Sequence, residues 1–296
     1  MPVADLQETP MLRQRLITGP ILIGALLALV WLDDRCTFRS GGGVVFAALF
    51  AILVPLAAAE AARLGRDCGV RTPTILTMAT AFTMFIIGTS ALLISDPSLA
   101  AGLAMLGPAA GFAVAAIGLA ATRKIDGAFT GASTIAGIAI WTGLLPVFWL
   151  AAFRDHGAWL AAGLVLVVKV GDIGAYFTGM AIGRHKLIPW LSPKKTIEGG
   201  IGALVFGGLA GGGLAALTAG QPPSMSLSMT AGVIGGVSLA LVGGLGDLLE
   251  SLLKRAAGAK DSGSVLPGMG GILDVLDSPL VAGPIAWLVL RLGTGG

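Results

Sequence analysis

Two cysteines and two histidines are all that 296 residues offer of the side chains that build disulfide frameworks and zinc sites. Cys36 and Cys68 are too few for a disulfide framework or a Cys-rich metal centre. His156 and His185 leave no set of ligands for a typical zinc site and argue against a Ser-His-Asp arrangement. Charge is scarce as well, at 12% of residues, and the net charge of +3 says little by itself; no nucleic-acid partner is expected. The short alternating segments of a membrane β-barrel are missing. No whole-chain repeat stands out, and the polar start over residues 1–12 carries no signal-peptide cleavage pattern.

What the chain has instead is apolar length. Hydrophobic residues make up 55% of it and mean hydropathy is +0.89. Apolar runs of about eighteen residues or more recur, each long enough to cross the hydrocarbon core as a helix. The expected fold is all-α, a polytopic integral membrane protein with about nine transmembrane helices. They are placed at 17–32, 44–62, 74–94, 99–121, 131–153, 158–182, 199–219, 228–253 and 280–292, the fourth broken at Gly107-Pro108 and the last one short. Many of the 46 glycines sit inside these runs. Gly107/Gly111, Gly179/Gly183, Gly207/Gly211 and Gly232/Gly236 have the four-residue spacing that lets membrane helices approach closely.

Fourteen of the 19 lysines and arginines fall in segments on one side of this arrangement; Arg35, Arg39, Arg154 and Arg291 fall on the other, and Lys169 lies within a span. The positive-inside rule puts the fourteen in the cytoplasm, together with the N-terminus, which implies a cell (inner) membrane protein. Cys36 is then outside and Cys68 inside. Residues 1–130 read as a transmembrane scaffold, with few charges and a role in helix and homodimer contacts. Residues 131–296 read as the catalytic region, with cytoplasmic motif loops at 183–198 and 254–277.

Polar chemistry concentrates in that second region. The stretch from Ser251 to Asp277 collects Lys254, Arg255, Lys260, Asp261, Asp274 and Asp277 among glycines. Such a loop suits a phosphate ester held with a divalent metal: cations neutralise phosphate oxygens, carboxylates hold a hard cation, and glycine lets backbone N–H groups come close. The sixth span puts Lys169, Asp172, Tyr176 and Gly179 on one helix face, and charged groups at that depth face a polar cavity or one another. In the next loop, Ser192, Lys194, Lys195, Thr196 and Glu198 precede a helix start and form an anion cradle, the other reading being contact with anionic lipid heads. Asp247, Glu250, Ser251 and Lys254 share a face of the eighth span, with Asp247 roughly 9 Å from its cytoplasmic end, near the depth of a lipid phosphate. Asp247 and Asp261 together make two carboxylates suited to Mg²⁺.

The run Ser251-x2-Lys254-Arg255-x4-Lys260-Asp261-x-Gly263-x2-Leu266-Pro267-Gly268-x-Gly270-Gly271-x2-Asp274-x2-Asp277 resembles the signature of the CTP:phosphatidate cytidylyltransferase (CDP-diacylglycerol synthase) family. Ser192-Pro-Lys-Lys-Thr-x-Glu-Gly and Asp172-x-Gly-Ala-Tyr-Phe are similar to two further stretches of that family. Met269 stands where the family usually has histidine, and Val275 where it has arginine. The resemblance implies condensation of CTP with phosphatidate in the bilayer, giving CDP-diacylglycerol and pyrophosphate. It implies Mg²⁺ on Asp247 and Asp261, with Lys260 beside them in the catalytic group. Lys194, Lys195 and Lys260 are assigned to the triphosphate, Arg255 or Lys254 to the lipid phosphate, and Asp172, Ser192, Thr196, Glu198, Asp274 and Asp277 to the substrate site. The alternatives are a paralogue that uses another lipid phosphate or is inactive, which Met269 and Val275 motivate, and a membrane transporter, against which the lack of matched halves counts.

Overall fold

The computed structural model describes residues 5–40 and 42–295, with side chains from residue 18 except at 37–41. The polar start at 1–12 therefore falls partly outside the described residues, as do the side chains of Arg13, Arg15 and Arg39. Long helices run up and down: α1 (Asp5–Ser40), α2 (Val44–Asp67), α3 (Thr74–Leu92), α4 (Pro97–Ala120), α5 (Ala128–Ala139), α6 (Leu145–His156), α7 (Ala158–Ile182), α8 (Ile197–Thr218), α9 (Met229–Ala256) and α10 (Ile272–Gly293). A single π-helical turn, Ile140–Leu144, joins α5 to α6, so the two form one rod over Ala128–His156. Among the described residues this rod and the seven helices α2–α4 and α7–α10 are long and apolar enough to cross a membrane. Helix α1 accompanies them: Thr18 reaches one end of the bundle and Asp33 the other, about 22 Å apart along a helix. The chain is a polytopic, all-α membrane protein.

Several sequence expectations change in detail. Helix α4 is continuous through Pro108, because in a membrane helix neighbouring helices and local adjustment compensate the lost hydrogen bond. Helix α10 begins at Ile272 rather than 280, so Asp274 and Asp277 are helical residues and not part of a loop. The segment 183–198 contains a β-hairpin, β1 (Lys186–Ile188) against β2 (Ser192–Thr196), with Lys186 opposite Thr196 and Ile188 opposite Ser192. The expected boundary at 130/131 lies inside α5.

Close helix contacts come from the glycines. A Cβ on Gly211 would strike the Gly232 carbonyl and one on Gly207 the Gly236 carbonyl, so the two expected pairs face each other across α8 and α9. A Cβ on Gly246 would lie 2.6 Å from the Asp277 carbonyl, which shows how tightly α9 meets α10. The far end of the bundle is tied by His156, whose Nδ1 lies 3.1 Å from the Ser224 carbonyl and 3.3 Å from Thr294 Oγ1. At the motif end, Arg71 donates to the carbonyls of Lys124 and Asp126 and to Thr122 Oγ1, joining the α2–α3 and α4–α5 turns.

Candidate functional site

The site is built where α7, α9, α10 and the hairpin meet. One turn of α9 separates Asp247 from Glu250, and the tight crossing at Gly246 brings Asp277 of α10 against them. One oxygen from each of Asp247, Glu250 and Asp277 lies within 4.8 Å of the others. Glu250 and Asp277 are buried, and Asp247 is half-buried. Lysines approach from three directions. Lys195 on β2 reaches Asp247 at 2.8 Å. Lys169 on α7 lies 3.5 Å from Asp172 and 4.0 Å from Asp277. Lys254 sits between Glu250 at 2.7 Å and Asp274 at 2.6 Å. The sixth-span pair of Lys169 and Asp172 is thus not self-contained, since it joins the α10 carboxylate.

Five carboxylates therefore face three ammonium groups in this interior cluster. The carboxylates outnumber the ammonium groups, an imbalance that a bound cation would offset. Glu250 Oε1 is buried and without a hydrogen-bond partner. Leaving a buried carboxylate oxygen unmet costs on the order of 1–3 kcal/mol or more. All three grouped side chains offer oxygen donors, the type Mg²⁺ takes. The donor set, the charge excess and the orphaned oxygen fit such an ion.

The other expected residues divide by what holds them. Thr196 is buried, and its hydroxyl accepts from Gly199 N–H to cap α8. Glu198 accepts from the His185 backbone N–H and lies 2.6 Å from its ring Nδ1, closing the hairpin on the first turn of α8. Ser192 is half-buried at the start of β2. Lys254 is occupied by two carboxylates, whereas Arg255 is exposed and, among the described residues, donates to the Ala259 carbonyl. Lys194, Lys260 and Asp261 are all exposed. Asp261 does not belong to the close carboxylate group; it lies on the loop beside Gly270.

The glycine loop is shaped by carboxylates of the protein itself. Its tip is a tight turn in which Leu266 N–H donates to the Gly270 carbonyl, with Met269 and Gly270 N–H returned to Leu266. Gly270 has φ +93°, a conformation that favours glycine. Asp274 accepts from Gly271 N–H, Ser262 N–H and Ser262 Oγ at 2.7–2.8 Å. Side chains on Gly263 or Gly271 would collide with Glu60, and one on Gly270 with Asp274. At least the Gly271 N–H is thus committed inside the protein. Sequence reasoning missed Glu60 and Ser262, and placed Glu250 on the right face without giving it a role. The available signal for Glu60 was a lone carboxylate near the end of an apolar run, which requires a partner.

Comparison with known proteins bears on this arrangement. A model of the Cytidylyltransferase family matches residues 13–293. The phosphatidate cytidylyltransferase of Mycobacterium bovis is 36% identical over 156 residues, covering 52% of this chain and 49% of that protein. Proteins of the same name from Helicobacter pylori and Staphylococcus aureus are 40% identical over 130 residues and 44% over 139, covering 43% and 46% of this chain. The chain spans about half the length of the curated relatives it matches, 46% and 51% for the latter two. The family match, by contrast, is not confined to the motif loops: it starts within α1 and ends at the last residue of α10, and the chain belongs to the cytidylyltransferase family.

Proposed function

We propose that this chain transfers the cytidylyl group of CTP to phosphatidate, giving CDP-diacylglycerol and pyrophosphate at the cytoplasmic face of the cell membrane. The observation that carries the reading is the carboxylate group of Asp247, Glu250 and Asp277, with its excess negative charge, flanked by the lysine-bearing hairpin at one end of a membrane bundle. The printed names of the relatives supply the substrates. In the reaction an oxygen of the lipid phosphomonoester attacks the α-phosphorus of CTP, and the bond from that phosphorus to the bridging oxygen of pyrophosphate breaks. The attacking oxygen is already ionised near neutral pH, so the protein's work is alignment and charge neutralisation.

Asp247, Glu250 and Asp277 would hold Mg²⁺. When bound, that ion supplies neutralisation of charge on the α-phosphate and on the departing pyrophosphate. Lys195 leaves Asp247 for the triphosphate, and Lys194, exposed beside it, adds a second ammonium group. Lys260 and Asp261 approach the nucleotide from the loop side. Arg255, exposed beside the loop, is the cation for the lipid phosphate, because Lys254 is held between Glu250 and Asp274. Asp172, through Lys169, fixes the position of Asp277.

The test is product analysis with purified protein, labelled CTP and a panel of lipid phosphates across a Mg²⁺ titration. Formation of a CDP-lipid from phosphatidate, dependent on Mg²⁺, is the expected result. Preference for a different lipid phosphate would move the assignment to the paralogue that Met269 and Val275 suggest. No nucleotide-lipid from any member of the panel would overturn the reaction.

A further inference from the structure

The glycine loop and the start of α10 are fastened by a residue far from them in sequence. Glu60, on α2, accepts from the backbone N–H groups of Ile272 at 3.0 Å and Leu273 at 2.9 Å, and from Ser262 Oγ at 3.0 Å. These N–H groups belong to the first turn of α10, where they have no partner within the helix and where the helix dipole favours negative charge. Glu60 therefore caps α10 from another helix. Its carboxylate also fills the space that side chains on Gly263 and Gly271 would need. Ser262 Oγ lies within hydrogen-bond distance of both Glu60 and Asp274, and its one hydrogen serves one of them at a time. Asp274 in turn takes Lys254, and one turn further along α10 stands Asp277, the member of the carboxylate group that α9 does not supply.

We infer that Glu60 is a positioning residue: by anchoring the loop 262–271 and the first turn of α10, it sets where Asp277 stands relative to Asp247 and Glu250, and so whether a divalent cation is held there. The inference rests on the cation reading given above. Removing Glu60 frees two N–H groups at the head of α10 and opens a space between α2 and the loop. Supporting groups beyond the direct ligands typically affect metal affinity by about 10- to 100-fold.

The experiment uses full-length protein in detergent, wild type against Glu60→Ala, Glu60→Gln and Ser262→Ala. Glutamine keeps the shape but puts an NH₂ group where one carboxylate oxygen accepts. Two readouts need no turnover: hydrogen–deuterium exchange over 260–276, and Mn²⁺ affinity measured by electron paramagnetic resonance. Glu60→Ala and Glu60→Gln are expected to speed exchange at Ile272 and Leu273 by about tenfold or more, to weaken Mn²⁺ by about tenfold, and to leave exchange in α3, α4 and α8 unchanged. Ser262→Ala is expected to show a smaller effect confined to the loop. If Glu60→Ala fails to fold, Glu60→Gln carries the test, and if both fail, Ser262→Ala reads the same loop. Unchanged protection and unchanged Mn²⁺ affinity would overturn the inference. So would a uniform loss of protection in step with thermal stability, which marks a residue that only supports the fold. A wild type that binds Mn²⁺ but transfers no cytidylyl group would sink the reaction and leave the Glu60 result standing.

Discussion

Glu250 illustrates what the residue scale decides. One oxygen is paired with Lys254, the other is buried with no hydrogen-bond partner among the described residues, and one of the two lies within 4.8 Å of oxygens of Asp247 and Asp277. If these three serve one ion, Asp247→Asn and Asp277→Asn should each lower turnover by about 100-fold or more, roughly 2.7 kcal/mol in the barrier. The double variant should be little worse than either single one, because groups that act as a unit are not additive. Asp261→Asn, altering an exposed loop residue, should lose about tenfold, roughly 1.4 kcal/mol. The measurement is CTP-dependent CDP-lipid formation by monodisperse protein. Equal losses at all three positions that fail to add in combination would place Asp261 in the same group and break this division. The sequence made Asp247 legible, since a carboxylate so near a span's end has little reason to be there without a polar task. It hid Glu60, because nothing local says that a carboxylate on α2 meets N–H groups more than two hundred positions away. The pairing of Lys254 with Glu250 and Asp274 was hidden for the same reason: a motif shows that an ammonium group is present, not which carboxylates it serves.

At the scale of elements, glycine position governs the geometry. Gly246 lets α9 and α10 touch, and an added methyl group would press on the Asp277 carbonyl. Gly246→Ala should therefore part the helices at the carboxylate group, cost about 1–3 kcal/mol as overpacking, and depress turnover far more than stability alone explains. Gly213→Ala, where an added methyl meets nothing, should leave both unchanged. Thermal unfolding in detergent together with turnover separates the two; a Gly246→Ala protein with normal turnover would show that the crossing distance is unimportant. Apolar length made the helices themselves legible, and α7 runs over 158–182 as its composition indicates. The starts and breaks were harder. Hydropathy delays α10 to residue 280 because Asp274 and Asp277 look like loop residues until Lys254 and Lys169 supply their partners. Pro108 looks like a break only to a chain in water. The hairpin at 186–196 is too short for any periodicity to reveal.

For the whole molecule, two ends with different chemistry follow from the up-and-down course of the chain. Arg71, the hairpin, Lys254 and the glycine loop gather at one end, while Arg154, His156 and Thr294 gather at the other. Cys68 follows α2 at the first end and Cys36 lies near the end of α1 that approaches the second; both are exposed. With the orientation we propose from the distribution of basic residues, an impermeant thiol reagent applied to intact cells should label Cys36 and spare Cys68. Labelling of Cys68 from outside would reverse the orientation and move the site out of the cytoplasm. The link between Glu60 and α10 has a further consequence for how the protein comes into being. Its backbone partners Ile272 and Leu273 stand 212 and 213 positions after it, both in α10. During synthesis the ribosome delivers α2 well before α10, so the carboxylate group stays open while the intervening helices enter the bilayer. The group of Asp247, Glu250 and Asp277 is complete only once α10 docks against α9.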